Sequence, residues 1–249
     1  HLARLLSLLE ADEGHPGQDE LRTTIKQAIQ AQGFAEQGHA RFVPAVGFTG
    51  TGGSGKSSLV DEVCRRFVDL LPEQRLAVVS VDPSRRRTGG ALLGDRIRMN
   101  SLGIHAGVKN QALFMRSQAT RQAHQATSRA LEDSIALCRL AGFDMVLVET
   151  AGIGQSDSAI TEMVDHSVYV MTPEYGAASQ LEKIDMLDFA DFVVVNKFEQ
   201  KRGPDAIKDV ENTLRRSRYQ GIPPDSGDYP VFGTIASRFN DDGTNSLYT

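Results

Sequence analysis

Hydrophobic residues gather in short unbroken runs from residue 41 onward, and polar stretches separate the runs. An unbroken apolar run rich in β-branched residues is typical of a strand that is covered on both faces. We therefore predict strands at residues 45–48, 76–81, 145–148, 167–171, 192–195 and 231–234. Apolar residues spaced three or four apart predict helices after Lys56, over 117–140, and near 159–164, 179–187 and 205–218. Such alternation predicts an α/β fold, in which helices cover both faces of a mostly parallel sheet.

The first forty residues have a different pattern. Residues 1–13 are rich in leucine, and residues 18–32 repeat apolar positions at helical spacing after a break that contains two glycines. We assign residues 1–40 to an N-terminal helical arm and residues 41–249 to the main domain. The arm would either pack on that domain or form a linker helix that meets another domain.

Composition narrows the class of protein. A length of 249 residues suits one α/β domain with an appendage, and a net charge of −5 argues against nucleic-acid binding. The sequence has no signal peptide and no apolar run of membrane-spanning length, so we expect a cytoplasmic protein without a membrane partner. Cys64 and Cys138 lack metal-ligand spacing and are expected to be reduced core residues. The first residue is His1 rather than Met, which suggests an excised domain.

Residues 50–57 read Gly-Thr-Gly-Gly-Ser-Gly-Lys-Ser, a phosphate-binding loop of the form GxxxxGK[ST]. It lies between a predicted strand and a predicted helix, which disfavours the alternative of a glycine-rich turn that binds nothing. The glycines let backbone N–H groups turn toward a polyphosphate. Lys56 would reach the β- and γ-phosphates, and Ser57 would ligate magnesium. The expected nucleotide contacts in this loop are Gly50, Gly52, Gly53, Ser54, Gly55, Lys56, Ser57 and Ser58.

Carboxylates follow the next strand. Asp82 comes directly after the second predicted strand and Asp95 lies further along the chain, and both are candidate magnesium ligands because that ion prefers oxygen ligands. Alternatively, Asp82 caps a turn before proline and Asp95 is an ordinary surface residue. The arginines at 85–87 would stabilise phosphate charge or simply be solvated, and we assign no arginine finger.

A further carboxylate comes directly after the third predicted strand. Glu149 is followed by Gly152, a spacing that matches the γ-phosphate-sensing segment of P-loop NTPases. Glu149 would position magnesium-bound or attacking water, the Gly152 N–H would bind the γ-phosphate, and Gln155 would orient water. The catalytic candidates are Lys56, Glu149 and Gln155. The alternative for this segment is a plain strand-to-helix turn.

Base recognition is predicted after the fifth predicted strand. Asn196-Lys197-Phe198-Glu199 resembles an NKxD segment, with Glu199 one methylene longer than the usual Asp. The Glu199 carboxylate would accept hydrogen bonds from the guanine ring N1–H and exocyclic amine, whereas adenine offers it an unpaired acceptor. Ala236 and Ser237, after the last strand, would supply the remaining guanine contact.

Several longer segments carry a family resemblance, at residues 81–84, 89–99, 114–117 and 148–155. With the motifs above, they resemble the G-protein chaperones of adenosylcobalamin-dependent acyl-CoA mutases, a branch of the P-loop GTPases. Residues 171–187 and 237–243 are most similar to chaperone domains fused within isobutyryl-CoA mutase polypeptides. The resemblance implies a third nucleotide-responsive switch at 174–183, for which a helix start near Pro173 is the alternative. It also implies magnesium ligation by Ser57, Asp82, Asp95 and Glu149.

The resemblance implies a magnesium-dependent GTPase that binds GTP and GDP and gates cobalamin loading, protection or repair of the mutase. Its implied partners are cobalamin-binding and substrate-binding mutase domains in the same polypeptide, together with a cobalamin adenosyltransferase. Adenosylcobalamin would be reached only through the mutase, because this chain lacks an Asp-x-His-x-x-Gly motif. Three alternatives remain. A small-molecule kinase would need an acceptor site, a partitioning ATPase would carry lysine near Thr51, and a nickel-delivery GTPase would need more than six scattered histidines.

Overall fold

The computed structural model describes residues 1–11, 15–32, 42–83, 113–120, 124–150, 159–174, 186–222, 224 and 228–249. Its strands are β1 (Ala45–Gly50), β2 (Leu76–Pro83), β3 (Leu113–Thr120), β4 (Met145–Thr150), β5 (His166–Met171), β6 (Phe192–Asn196) and β7 (Val231–Thr234). Its helices within these residues are α1 (Leu2–Leu9), α2 (Gln18–Gln32), α3 (Lys56–Leu70), α4 (His124–Leu140), α5 (Ala159–Met163), α6 (Met186–Phe189), α7 (Gly203–Ser217) and α8 (Asp242–Tyr248).

All seven strands form one parallel sheet in the order β3-β2-β4-β1-β5-β6-β7. The strand that precedes the glycine loop, β1, is central, with Phe48 opposite Glu149 of β4 and Gly50 opposite Val170 of β5. The carboxyl ends of parallel strands meet at one edge of a sheet, where ligands of this fold class bind. The topology therefore places the ends of β1, β4, β5 and β6 side by side.

Helices cover both faces of the sheet, as the apolar pattern predicts. On one face, α3 buries Leu59 and Phe67 against the strands. On the other, α4 buries Ile135 against β1, β2 and β4, and α7 buries Val210 and Leu214 against β5 and β6. Adjacent residues within a strand point to opposite faces, which explains why the strands require unbroken apolar runs. Among the described helices, none is long and apolar enough to cross a membrane.

Helices α1 and α2 both attach to α4. Leu6, Leu9 and Ile25 are buried against Leu137 of α4. The Gln18 side chain donates hydrogen bonds from Nε2 to the carbonyl oxygens at the end of α1, at 3.1–3.2 Å. A buried ion pair, 2.7 Å from Arg22 Nε to Asp133 Oδ2, joins α2 to α4.

Two elements differ from the sequence-based expectations. The predicted helix over 117–140 is wrong at its start, because residues 117–120 belong to β3 and α4 begins at His124. Strand β3 pairs with β2 along eight residues, and this pairing overrides the local helical pattern. Helix α8 is not among the predicted helices. The six predicted strands are confirmed with small differences at their ends, and most of the predicted helix at 179–187 lies outside the described residues.

Candidate functional site

The glycine loop fits closely against the ends of β5 and β6. Gly50 has φ 140°, and a Cβ atom there would overlap the Val170 carbonyl oxygen. Gly55 has φ 86° and occupies the N-cap position of α3, and a Cβ atom there would lie 2.5 Å from Asn196 Nδ2. Side chains at either position would therefore push the loop away from the strands. With glycine, the backbone forms a tight turn at a helix N-terminus, which is a favourable site for an anion.

Lys56 is the first residue of α3, and its side chain bends back over the loop. Only 7% of the residue is exposed, and Nζ donates hydrogen bonds to the carbonyl oxygens of Gly50 at 3.2 Å and Thr51 at 3.0 Å. The hydroxyls of Thr51 and Ser54 are buried in the same loop and have no hydrogen-bond partner among the described residues. The loop thus combines a buried cation with buried hydroxyl groups, and both bind phosphate oxygens well.

Ser57 and Glu149 meet beside the loop. The Ser57 Oγ donates a hydrogen bond to Glu149 Oε1 at 2.6 Å, and Glu149 is only 4% exposed near the end of β4. Two adjacent oxygen donors next to a phosphate site fit magnesium, which takes oxygen ligands from protein and phosphate together. Within the described residues, no group of three or more His, Cys, Asp or Glu side chains could hold a metal ion by itself.

The other predicted metal and γ-phosphate residues are described only in part. The backbone of Asp82 pairs with Ala119 near the end of β2, at the same edge of the sheet as the glycine loop. Its side chain lies outside the described part of the chain, as do Asp95, Gly152 and Gln155. The roles of these residues stay predictions.

Asn196 joins three segments of the site through one buried amide. Its Nδ2 donates to the Ser54 carbonyl oxygen at 2.7 Å, across 142 residues of sequence. Its Oδ1 accepts from Thr234 Oγ1 and from the Ala236 N–H, each at 3.1 Å. Sequence analysis assigns Asn196 a contact with the base, and the structure adds a role that spacing does not reveal. The residue ties the phosphate loop to the loop that follows β7.

Lys197, Phe198 and Glu199 lie in the turn that follows β6. Lys197 has φ 58°, and the Phe198 N–H donates to the Thr234 carbonyl oxygen at 3.0 Å. The Phe198 ring packs so closely on Gly233 that a Cβ atom there would lie 2.6 Å from it. This anchored phenylalanine leaves Glu199 exposed beyond the edge of the sheet. Its side chain is accessible to solvent.

The loop after β7 is closed by Asp241, which sequence analysis does not single out. The Asp241 Oδ2 accepts hydrogen bonds from the Ile235 N–H at 3.1 Å and from the N–H and hydroxyl of Thr244, both at 2.8 Å. Ala236 is buried inside this loop, whereas Ser237 is exposed. The only signal in the sequence is Asp241 at the capping position of a short helix, three residues before Thr244.

The described residues therefore bring most of the predicted nucleotide contacts to one edge of the sheet. They are Gly50, Gly52, Gly53, Ser54, Gly55, Lys56, Ser57, Ser58, Glu149, Asn196, Lys197, Glu199, Ala236 and Ser237. The phosphate loop and the two candidate magnesium ligands, Ser57 and Glu149, lie at the carboxyl ends of β1 and β4. The exposed Glu199 and the loop with Ala236 and Ser237 follow β6 and β7.

Comparisons with known proteins give consistent results. The family model described as methylmalonyl Co-A mutase-associated GTPase MeaB matches residues 2–226. The chain is 53% identical to the fused isobutyryl-CoA mutase of Cupriavidus metallidurans over 248 residues. The aligned region covers 99% of this chain and 21% of that protein. The chain thus spans about a fifth of the length of this relative.

More distant relatives share most of the chain. A putative GTPase of Caulobacter vibrioides is 31% identical over 215 residues, which is 86% of this chain and 61% of that protein. The crystal structure of a LAO/AO transport system kinase superimposes with a TM-score of 0.66 at 25% identity. That match covers 99% of this chain and 67% of the other.

Proposed function

The chain belongs to the family of methylmalonyl-CoA mutase-associated GTPases, and we propose that its GTP hydrolysis serves as the switch of a cobalamin-dependent acyl-CoA mutase. The observation that carries the assignment of the site is the Asn196 amide, which joins the phosphate loop to the loop expected to contact the base. A single nucleotide would therefore be held by two coupled loops. The family favours this function over the small-molecule kinase, partitioning ATPase and nickel-delivery alternatives.

We assign phosphate binding to the glycine loop. Lys56 and the backbone N–H groups of the loop would neutralise the β- and γ-phosphates, where charge changes as the γ-phosphoryl group passes to water. Ser57 and Glu149 would hold magnesium, which would supply positive charge to offset the charge of the phosphates. We propose that Asp82 and Asp95 complete this ligand set, that Gly152 binds the γ-phosphate, and that Gln155 with Glu149 orients the attacking water.

We assign guanine selectivity to the segments that follow β6 and β7. We propose that Glu199 accepts from N1–H and the exocyclic amine of guanine, and that Lys197, Ala236 and Ser237 complete the base contacts. Since a site built around such donors rejects a base that lacks them, GDP should bind at least ~100-fold more tightly than ADP.

Calorimetric titration of the chain with GDP and with ADP tests this assignment. The variant Glu199→Asp should keep the preference for guanine, because its carboxylate is retained. The variant Glu199→Ala should lose most of it. Equal affinities for the two nucleotides in the wild-type chain would remove the guanine assignment.

The partner is proposed from the relatives. Because the first relatives are fused mutases of which this chain covers about a fifth, we propose that cobalamin-binding and substrate-binding mutase domains lie in the same polypeptide. Adenosylcobalamin would then be reached only through those domains, with a cobalamin adenosyltransferase as its donor. We also propose a cytoplasmic location, which is consistent with the two buried free cysteines.

The proposed output is a change in the mutase partner. Glu174 is exposed just beyond β5, at the start of the segment proposed as the third switch; the rest of 174–183 lies outside the described residues. A segment there can respond to the nucleotide, because β5 lies beside the glycine loop. The mutase would change nucleotide binding in return, since any coupling of equilibrium binding is reciprocal.

Measuring cobalamin transfer into the mutase with GTP, GDP and a nonhydrolysable analogue tests this coupling. Transfer should differ among the three, and changing Glu174 or Lys183 to alanine should reduce the difference. Identical transfer with all three nucleotides would refute the gatekeeper role even if GTP hydrolysis is intact.

A further inference from the structure

Each of the first two backbone N–H groups in the loop between β7 and α8 donates a hydrogen bond to a buried side chain. The Ile235 N–H donates to Asp241 Oδ2 at 3.1 Å, and the adjacent Ala236 N–H donates to Asn196 Oδ1 at 3.1 Å. Asp241 is 6% exposed and Asn196 is 2% exposed, so water competes little for either hydrogen bond. Two buried side chains from opposite sides therefore determine the path of this loop.

Asp241 also fixes the loop to α8. The same oxygen that binds the Ile235 N–H accepts from the backbone and hydroxyl of Thr244, which is fully buried. Gly243 lies so close to β7 that a Cβ atom there would overlap the Gly233 carbonyl oxygen. The helix start therefore cannot move away from the strand without breaking several contacts at once.

Helix α8 is tied in turn to the helix that begins at the phosphate loop. The Arg66 Nε of α3 donates to Asn245 Oδ1 at 2.8 Å, and its guanidinium also pairs with Glu62 at 2.7 Å. Arg66 is the middle of a chain of contacts that runs from α3 to α8 and, through Asp241, to the loop after β7. The helix that follows the phosphate loop and the loop expected to contact the base are therefore connected through α8.

We propose that Asp241 is a positioning residue for guanine selectivity. The proposal rests on the proposed function, in which the 235–237 loop contacts the base. Asp241 touches no part of the nucleotide in this account and acts by holding the Ile235 N–H, so that Ala236 and Ser237 present a fixed edge to guanine. A loop that must be ordered on binding weakens affinity, whereas a loop already ordered does not.

Two substitutions separate this role from helix capping. Serine and asparagine are both good helix N-caps, so Asp241→Ser and Asp241→Asn should each keep the cap on α8. The asparagine oxygen can still reach the Ile235 N–H, whereas the shorter serine side chain cannot reach it and Thr244 together. Asp242→Ser is the matched control, because Asp242 is exposed at the neighbouring position of the same helix.

The experiment measures the affinity of the 249-residue chain for GDP, ADP and tripolyphosphate, with thermal unfolding of each variant alongside. Asp241→Ser should lower GDP affinity about tenfold or more, and its affinities for ADP and tripolyphosphate should change less than about threefold. Asp241→Asn should recover most of the GDP affinity, and Asp242→Ser should match the wild-type chain.

Other outcomes would overturn the proposal. If Asp241→Ser weakens GDP and tripolyphosphate equally, or leaves the preference of GDP over ADP intact, Asp241 has only a structural role. The same holds if the asparagine and serine variants behave alike. A wild-type chain without any preference for GDP over ADP would instead overturn the proposed guanine recognition, and this inference with it.

Discussion

At the scale of single residues, Asn196 makes three hydrogen bonds that hold parts of the candidate site together. Its amide donor and acceptor are both used in buried hydrogen bonds to segments that are distant in sequence. Replacing it with alanine would leave the Ser54 carbonyl and the Ala236 N–H without this partner. A buried polar group that loses its partner costs about 1–3 kcal/mol.

The first prediction concerns this residue. Asn196→Ala should reduce the free energy of unfolding by about 2–4 kcal/mol, since more than one buried group is affected. It should also weaken GDP binding by at least about tenfold, because the two nucleotide loops lose their connection. Urea denaturation and calorimetry measure the two effects. The control Thr234→Val removes only one of the hydrogen bonds to Asn196 and should cost about 1 kcal/mol. If both variants behave alike, Asn196 is not the connection between the loops.

Site residues differ in how far the sequence alone could identify them. Lys56, Ser57 and Asn196 belong to short motifs whose spacing carries chemical meaning, so the spacing is enough to predict a role for each of them. Asp241 could not be found that way. Its importance depends on the Ile235 N–H six residues earlier and on Thr244, and only the folded chain brings one carboxylate oxygen to both.

At the scale of elements, α2 is held to α4 by the ion pair between Arg22 and Asp133. The two side chains are 10% and 9% exposed. The second prediction is that Arg22→Met reduces the free energy of unfolding by about 3 kcal/mol, because it leaves a buried carboxylate without its cation. The double variant Arg22→Met/Asp133→Leu should recover most of that loss, since no buried charge remains. Urea denaturation of the single and double variants measures this. Failure of the double variant to recover would show that packing, not charge, limits the contact.

The third prediction concerns the thiol of Cys138, which α4 buries against the sheet. Burial raises the pKa of this thiol to about 12, whereas an unfolded cysteine titrates near ~8.5. The folded state therefore holds the proton more tightly. Its contribution to stability is complete below about pH 8.5 and is lost as the pH rises toward the folded pKa. From pH 7.5 to pH 10, the wild-type chain should lose about 2 kcal/mol more unfolding free energy than the variant Cys138→Ala.

Paired urea titrations of wild-type chain and variant at the two pH values check this. Burial also raises the pKa of the Tyr248 hydroxyl, and Cys64 has a pKa raised by burial and by nearby Asp61 and Glu149. These groups are present in both chains, so their effect cancels in the comparison. Equal pH dependence of the wild-type chain and the variant would mean that the Cys138 thiol is accessible to water.

Elements follow from the sequence where their apolar pattern is strong. Strands β1, β2, β4, β5 and β6 are nearly all apolar and match predicted strands, whereas β3 carries Arg116, Ser117 and Gln118, and the pattern assigns part of it to a helix. Two polar residues of this edge strand have partners in the folded chain: buried Gln118 donates a hydrogen bond to Ser134 of α4, and Arg116 pairs with Glu10 at 2.9 Å. Helix α8 has only seven residues, and it forms because Asp241 caps it and β7 supports it.

At the scale of the whole molecule, the parallel sheet explains why separate motifs form one site. The phosphate loop, Glu149 and Asn196 lie at the carboxyl ends of β1, β4 and β6, and these strand ends meet at one edge of the sheet. The sequence predicts the fold class and this edge, but not the strand order, because order depends on pairings between distant segments. The division into an arm at 1–40 and a domain at 41–249 stays a prediction.

The central claim is that this edge hydrolyses GTP, with Lys56 and Glu149 acting on the phosphates. The most direct measurement is single-turnover phosphate release from saturating GTP and from ATP. We predict release from GTP in the wild-type chain, much slower release from ATP, and none with Lys56→Ala. Glu149→Gln should slow release by about 10²-fold or more with GDP affinity nearly unchanged, because its charge acts mainly in the triphosphate state. Equal release from GTP and ATP, or wild-type rates in Lys56→Ala, would contradict the account.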